Sequence, residues 1–329
     1  MAENSTTDAP RMRVISQDTA GGPEVLKLVE TDRPVPGPTE ILVRVHAAGV
    51  NPTDWKTRAR GRFNAGATPP YVLGFDISGV VEAVGPGVTI HRPGDEVYGM
   101  PRFPHPAGAY AQFVSAPARH CAPRPAGLDH VRAAALPLAA LTAWQALVDT
   151  ADVRPGQRVL VHAAAGGVGH LAVQIAKARG AQVVATASAA NHDFLRDLGA
   201  DELVDYRTED FADTVRGIDC VLDPIGDDYG TRYGTRSLAT MRAGGTLVTL
   251  RGLDREFPAA RAAESGIRAV HLLVEPDQAG LRAITGLVES GRLRVAVDSV
   301  FPFEDAAGAH TRGEAGGVKG KLVLAVGHG

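Results

Sequence analysis

An α/β protein is predicted, with a β-rich lobe interrupted by a doubly wound domain built on a parallel sheet. Three observations predict it. Short β-branched runs between Pro and Gly turn signals fill the first third of the chain. After about residue 127, strand and helix patterns alternate. Between two of these patterns, a glycine-rich turn joins a strand to a helix.

Composition sets the outer bounds. The chain has 329 residues, 44% of them apolar, and a net charge of -3. That length supports one large or two moderate cores, since single cores tend to split above roughly 250–300 residues. The balanced charge and the lack of a basic stripe argue against nucleic acid and anionic membrane as partners. The two cysteines, Cys121 and Cys220, are far apart and outside any ligand-spaced cluster. No disulfide framework follows, which fits a reducing, cytoplasmic setting. The longest apolar runs are strand-sized, short of the ~20 residues a membrane helix needs. Residues 1–11 read as a frayed polar tail without the features of a signal peptide.

The β-rich lobe is expected over residues 12–126. Its strand candidates are Ile41–Val45, Ile77–Val84, Glu96–Tyr98 and Ala109–Val114, with turn chemistry at Pro86-Gly87 and Pro93-Gly94-Asp95. The nucleotide-binding domain is expected over 127–275. Arg132–Val148 reads as a helix, Arg158–Ala163 as a buried strand, and Val168–Arg179 as a helix with Val168, Leu171, Ala172, Ile175 and Ala176 on one face. Gln182–Ala187 is a strand and His192–Leu198 a helix closed by Gly199. Further strands are expected at Leu203–Tyr206, Ile218–Leu222, Thr246–Leu250 and Ala269–Val274. Residues 276–329 are expected to return to the first lobe. They carry a helix over Asp277–Arg292 and strands at Val295–Val300 and Lys321–Val326.

The strongest local signal is Val159-Leu-Val-His-Ala-Ala-Ala-Gly-Gly-Val-Gly169. It carries Ala164-x-Gly166-x-x-Gly169, with Ala in place of the usual first Gly. Small residues are needed here because the turn is tight, the backbone must approach a pyrophosphate, and the helix must pack closely on the strand. Gly167 and Val168 lie in the same turn, and the helix start offers N–H groups to phosphate. A strand, this turn and a helix together predict a Rossmann dinucleotide site. The next strand ends Ala185-Thr186-Ala187-Ser188, without the carboxylate that holds an NAD ribose, so NADPH is favoured. Ser188, Asn191, His192 and Tyr206 are candidate donors to its 2′-phosphate. Ser188 and Asn191 equally suit plain helix capping.

The chain resembles the zinc-free quinone oxidoreductases and polyketide enoyl reductases of the medium-chain dehydrogenase/reductase superfamily. The residues that carry the resemblance run in order from about residue 12 to the end. They are Gly49-Val-Asn-Pro-Thr-Asp-Trp-Lys56, Gly74-Phe-Asp-Ile-Ser-Gly-Val-Val-Glu-Ala-Val-Gly85, Pro93-Gly-Asp-Glu-Val97, Leu136-Pro137 with Leu141-Thr-Ala-Trp144, the glycine-rich turn, and Gly320-Lys-Leu-Val-Leu324. The resemblance implies a GroES-like β-rich catalytic domain around a Rossmann domain, with the active site in the cleft between. It also implies NADPH, hydride transfer to a quinone or an α,β-unsaturated carbonyl, and a homodimer paired through the edge strand 269–274. It brings Thr142, Leu250 and Lys321 to the cofactor.

Zinc-dependent members of the superfamily use Cys and a His-Glu pair at the catalytic metal. Here those positions read Asn51 and Phe75-Asp76. His46, His91, His105 and His120 are not in ligand spacing, and a tetrahedral site needs three or four converging donors. No metal is expected. A developing enolate or phenolate then needs hydrogen-bond donors in a dry cleft. Asn51 is placed to donate to the acceptor oxygen, or it caps an Asn-Pro turn. Lys56 would stabilise the enolate or hold the nicotinamide ribose, or it is a solvated lysine. Asp54 joins them, or caps a local helix. Thr142 would back-bond to its own helix if not near the nicotinamide. Tyr71 and Tyr110 are further proton-donor candidates, and His105 sits in a loop that would line the cleft. Two departures from the family, Gly226-Asp227-Asp228 and the Arg-rich 251–268 segment, bear on substrate choice. Two other functions fit the same residues. One is a tailoring reductase acting on an enoyl or iminium group, and the other is a non-catalytic NADPH-binding protein.

Overall fold

The computed structural model describes residues 10–61, 68–227, 232–251 and 259–328. Most of the expected tail, Asp228, and residues 252–258 of the Arg-rich segment lie outside them. Residue Arg11, placed in the tail by sequence, already belongs to a strand.

The first lobe opens with β1 (Arg11–Gln17), β2 (Lys27–Asp32) and β3 (Glu40–Val50). Helix α1 (Pro52–Arg60) follows; the sequence offered only a local helix capped by Asp54, without bounds, because its turns mix charged and apolar residues without a clear face. Then come β4 (Tyr71–Val72), β5 (Asp76–Val84), β6 (Glu96–Gly99), β7 (Phe113–Pro117) and β8 (Cys121–Pro123). β7 lies later than the expected Ala109–Val114, because Ala111 makes only an isolated bridge to Val14.

The expected helix over Arg132–Val148 is divided. It forms α2 (His130–Ala134), α3 (Pro137–Trp144) and a π-type turn at Gln145–Thr150. Pro137 causes the first break, since it has no N–H to donate and its ring excludes the preceding turn. The alternating part then runs β9 (Arg158–Val161), α4 (Gly169–Ala178), β10 (Gln182–Ala187), α5 (His192–Asp197), β11 (Glu202–Asp205), α6 (Phe211–Thr214), β12 (Ile218–Asp223), α7 (Tyr233–Ser237), β13 (Met241–Thr249), α8 (Ala259–Glu264) and β14 (Arg268–His271). The chain ends with α9 (Gln278–Glu289), β15 (Val297–Pro302), α10 (Ala306–Glu314) and β16 (Lys321–Ala325).

One sheet has the order β11-β10-β9-β12-β13-β14, with every pairing parallel. This is the doubly wound Rossmann order, whose direction of winding reverses between β9 and β12. Both faces are covered. Val159 and Val161 join one apolar core with Leu141, Leu171 and Ile284, while Leu160 joins another with Val184, Val221 and Phe211. β14 is the edge strand of this sheet.

The second large sheet has the order β15-β16-β3-β5-β6-β8, with β7 also on β3. The last segment therefore joins the sheet of the first lobe through β15 and β16. Register fixes what meets at one end of this sheet. Leu322 pairs with Val50, and Asp76 pairs with Gly49. Those pairings set Lys321, Asn51 and Asp76 side by side, although they are far apart in sequence. Gly49 is required there, because a Cβ on it would lie 2.4 Å from the Ala134 carbonyl oxygen.

Candidate active site

The switch between β9 and β12 opens a crevice at the C-terminal strand ends, and the glycine-rich turn lies on its rim. Ala163 holds a left-handed φ of 47°. The Ala164 N–H donates to the Thr186 carbonyl at 3.1 Å, which ties the turn to β10. A Cβ on Gly169 would come within 2.5 Å of the Ala163 oxygen, so the start of α4 packs on the turn without room for a side chain. A Cβ on Gly167 would stand 3.1 Å from Cδ of Lys321. Gly167, Val168 and Gly169 lie at the start of α4, where no helical carbonyl can take their N–H groups. A bare, tightly turned backbone with open donors fits a dinucleotide pyrophosphate.

The candidate donors to a 2′-phosphate surround the ends of β10 and β11. Ser188 is buried, and Asn191 Nδ2 donates to its Oγ at 3.3 Å. His192 begins α5, and its Nε2 is buried without a hydrogen-bond partner. Tyr206 is half exposed beyond β11. The Arg207 guanidinium stands 5.9 Å from the Tyr206 ring centre. Arg207, next to the candidate Tyr206, was not among the sequence candidates, because a basic residue was sought only in the turn after β10. The β11 end lies beside that of β10, since Ala187 pairs with Asp205. Leu250 is half buried, and its N–H donates to the Asp223 carbonyl across the strand ends.

Asp223 was also missed. It closes β12, is wholly buried, and accepts from the Ile225 and Gly226 N–H groups at 2.9 Å each. Burial pushes its carboxyl up to about 6. His162, at the end of β9, bridges Thr186 Oγ1 at 3.0 Å and Ser237 Oγ at 2.9 Å.

At the end of β3, a buried polar cluster joins three side chains from distant parts of the chain. Asn51 Nδ2 donates to Asp76 Oδ2 at 2.8 Å, and Lys321 Nζ donates to Asn51 Oδ1. Lys321 Nζ also lies 3.7 Å from Asp76 Oδ2. The other Asp76 oxygen accepts from the Leu138 N–H at 2.8 Å and so caps α3. The amide orientation of Asn51 is thereby fixed, since its oxygen faces a cation and its nitrogen a carboxylate. Burial pushes the Lys321 amine down and the Asp76 carboxyl up, each against the pull of the other charge. Among the candidates, sequence reasoning gave Lys321 and Asn51 separate tasks, and the structure joins them. Asp76 had been read only as a lost metal ligand.

Asp54 serves as the local cap named as its alternative role. Its Oδ2 accepts from the Asn51 N–H at 2.7 Å and from the Tyr110 hydroxyl at 3.0 Å. It is fully buried, and burial pushes its carboxyl up to about 7. The Tyr110 hydroxyl is thereby committed to a buried network. Its oxygen meets His310 Nε2 at 3.2 Å, and Arg58 meets His310 Nδ1 at 3.2 Å. Arg58 only donates, so the ring hydrogen sits on Nε2 and the chain of donors runs inward from Arg58 to Asp54. Lys56 is half buried on α1 and has interactions of its own. Thr142 Oγ1 donates to the Leu138 carbonyl at 2.6 Å, the back-bonded arrangement. Tyr71 is half buried in β4, and His105 is exposed.

Among the described residues, no group of three or more His, Cys, Asp or Glu side chains could hold a metal ion. Nor is any described helix long and apolar enough to cross a membrane. Both cysteines are buried, with thiols pushed up to about 12.

The alcohol dehydrogenase GroES-like domain family matches residues 37–126, and the zinc-binding dehydrogenase family matches residues 198–324. The quinone oxidoreductase of Rattus norvegicus is 32% identical, over 95% of this chain and 97% of its own length. The 2-methylene-furan-3-one reductase of Solanum lycopersicum is 34% identical, over 98% of this chain and 82% of its own. A mycocerosic acid synthase-like polyketide synthase of Mycobacterium tuberculosis is 41% identical over 63% of this chain and 10% of its own length. The solved quinone oxidoreductase of Coxiella burnetii is 37% identical with a TM-score of 0.87, over 97% of this chain and 100% of its own. A mycobacterial protein solved in complex with NADPH is 32% identical with a TM-score of 0.84, over 95% of this chain and 100% of its own. The shared order of domains, the glycine-rich turn and the full-length matches place this chain in the quinone oxidoreductase family of the medium-chain dehydrogenases/reductases, as an oxidoreductase that uses a nicotinamide cofactor.

Proposed function

We propose that this protein transfers hydride from NADPH to a quinone or an α,β-unsaturated carbonyl, without zinc. The observation that carries the reading is the buried Lys321–Asn51–Asp76 cluster, which lies directly against the phosphate-binding turn through the Lys321 stem. A bound nicotinamide would supply the hydride. The protein's part is orientation and charge. Negative charge develops on the acceptor oxygen, and the Lys321 ammonium, Lys56 and the second N–H of the Asn51 amide are the positive groups offered to it. Asp76 and Lys321 keep that amide from turning over.

The chemistry of the donors supports a zinc-free reaction. Asn51 presents a carboxamide and Phe75 a hydrocarbon where zinc-dependent relatives present ligands, while Asp76 is committed to Lys321, Asn51 and the Leu138 N–H. NADPH preference is supported by the lack of a carboxylate at the end of β10, and by Ser188, Asn191, His192, Tyr206 and Arg207 around the same strand ends. We further propose a cytoplasmic homodimer paired along the expected edge 269–274, of which β14 (Arg268–His271) forms the first part.

The test follows reduced-nicotinamide absorbance with NADPH and NADH against a panel of quinones and enones, with and without a chelator. Chelator-insensitive oxidation of NADPH well above NADH is the expected result. Loss of activity with chelator would sink the zinc-free reading. Tight NADPH binding with no turnover on any acceptor would replace it with a narrow tailoring substrate or a binding role.

A further inference from the structure

His170 lies in the first turn of α4, fully buried, and no step above uses it. Its ring makes two bonds in opposite directions. Nε2 accepts from the Ala296 N–H at 3.2 Å. A backbone N–H can only donate, so the ring hydrogen is on Nδ1, and Nδ1 donates to the Gly166 carbonyl at 2.8 Å. Burial lowers the imidazole to about 4, so it stays neutral and keeps this tautomer through the neutral range.

Both partners lead to the site by short routes. Gly166 belongs to the phosphate-binding turn. The next carbonyl back, Ala165, accepts from the Gly320 N–H at 2.9 Å. Two successive turn carbonyls are thus engaged, that of Gly166 also by the His170 backbone N–H at 3.1 Å, and the N–H groups that follow have no helical carbonyl to take them. Ala296, on the other side, accepts at its carbonyl from the Lys321 N–H at 2.9 Å. The approach is close, since a Cβ on Gly320 would lie 2.2 Å from the Ala296 oxygen. One helical turn further along α4, Gln174 exchanges two hydrogen bonds with the Arg294 backbone, each at 2.9 Å. Residues 294–296 therefore form a strap laid along α4. The strap holds the backbone of Lys321, whose ammonium reaches Asn51.

We propose that His170 is a positioning residue that couples the phosphate-binding turn to Lys321, so that occupation of the turn by the dinucleotide tightens the strap and fixes the Lys321–Asn51–Asp76 cluster. The proposal rests on the dinucleotide reading of the turn. It gives the two ring nitrogens separable tasks. Nδ1 sets the turn, and Nε2 sets the strap.

The test uses the full chain, NADPH as probe, and amide hydrogen exchange read at single residues alongside NADPH affinity. In the unaltered protein, NADPH slows exchange at Gly167, Val168 and Gly169, and also at Ala296. His170→Asn keeps a donor near the Nδ1 position and loses the acceptor at Nε2. It should bind NADPH within about twofold of the unaltered protein, while Ala296 exchanges fast whether or not NADPH is present. His170→Gln keeps an acceptor near Nε2 and loses the turn bond. Its affinity for NADPH should fall roughly fivefold, the scale of one net hydrogen bond, while Ala296 stays slow. If both variants weaken NADPH and free Ala296 alike, His170 is only a packing residue and the proposal fails. Slowed exchange at the turn but not at Ala296 in the unaltered protein overturns the coupling and leaves the dinucleotide reading standing. No slowing at either place overturns both.

Discussion

Asp54 and Asp76 are neighbouring carboxylates sealed from water, and they serve different ends. Asp76 faces a cation and holds the Asn51 amide. Asp54 faces an N–H and a hydroxyl, and holds the backbone from which that amide projects. Removing the cation alone leaves buried polar groups uncompensated. Lys321→Met should therefore cost about 3–5 kcal/mol in urea unfolding, with part of the loss restored by adding Asp76→Asn. A double variant no better than the single one would show that the pair is not coupled. Asp54 gives a pH signature. Its folded carboxyl stands at about 7, above its unfolded value of roughly 4. The folded state then binds the extra proton between those values, so this group's contribution to stability falls as pH rises from about 4 to 7. Asp54→Asn removes that slope. The variant should gain stability relative to the unaltered protein between pH 5 and pH 8, and an unchanged difference at the two pH values would contradict the burial argument.

At the scale of elements, the site depends on how closely three strand ends and one helix start approach each other. The turn into α4 admits no side chain at Gly169. Gly169→Ala should push the helix start away and weaken NADPH binding roughly tenfold, about 1.4 kcal/mol. Fluorescence titration would measure it, and an unchanged affinity would show that the turn yields without loss. α3 is positioned differently. Its start carries Pro137, which needs no acceptor, and the next N–H goes to Asp76. The polar cluster thus also sets the end of the helix that carries Thr142.

For the whole molecule, the sheet order sets the ends of β10 and β11 side by side, and that juxtaposition bears on cofactor choice. Arg207→Ser should reduce NADPH affinity roughly tenfold and leave NADH nearly unchanged, as expected for one charge-assisted contact to a 2′-phosphate. Equal losses for both cofactors would place Arg207 elsewhere. The other whole-molecule expectation concerns β14, an edge strand with backbone groups open to a second copy. Light scattering should report twice the chain mass, and a monomer across micromolar concentrations would remove the dimer proposal.

The sequence alone determined the architecture and the glycine-rich turn, because both rest on local physics. A parallel strand buried on two faces reads as an apolar run, an amphipathic helix shows its period, and a turn that must approach phosphate excludes side chains. The turn at 163–169 and the strands Gln182–Ala187 and Ile218–Leu222 were legible for that reason. Helix α1 and the division of Arg132–Val148 were less so, since the first lacks a clear face and the second turns on a single proline. The site itself was decided by tertiary structure. Asn51, Asp76 and Lys321 meet only because β3 pairs with both β5 and β16 in one register. His170 gains its second partner only because a strap some 120 residues later lies along its helix. Pairing register and long-range packing leave no periodic trace in sequence, so residues can be named there as candidates, but their partners cannot.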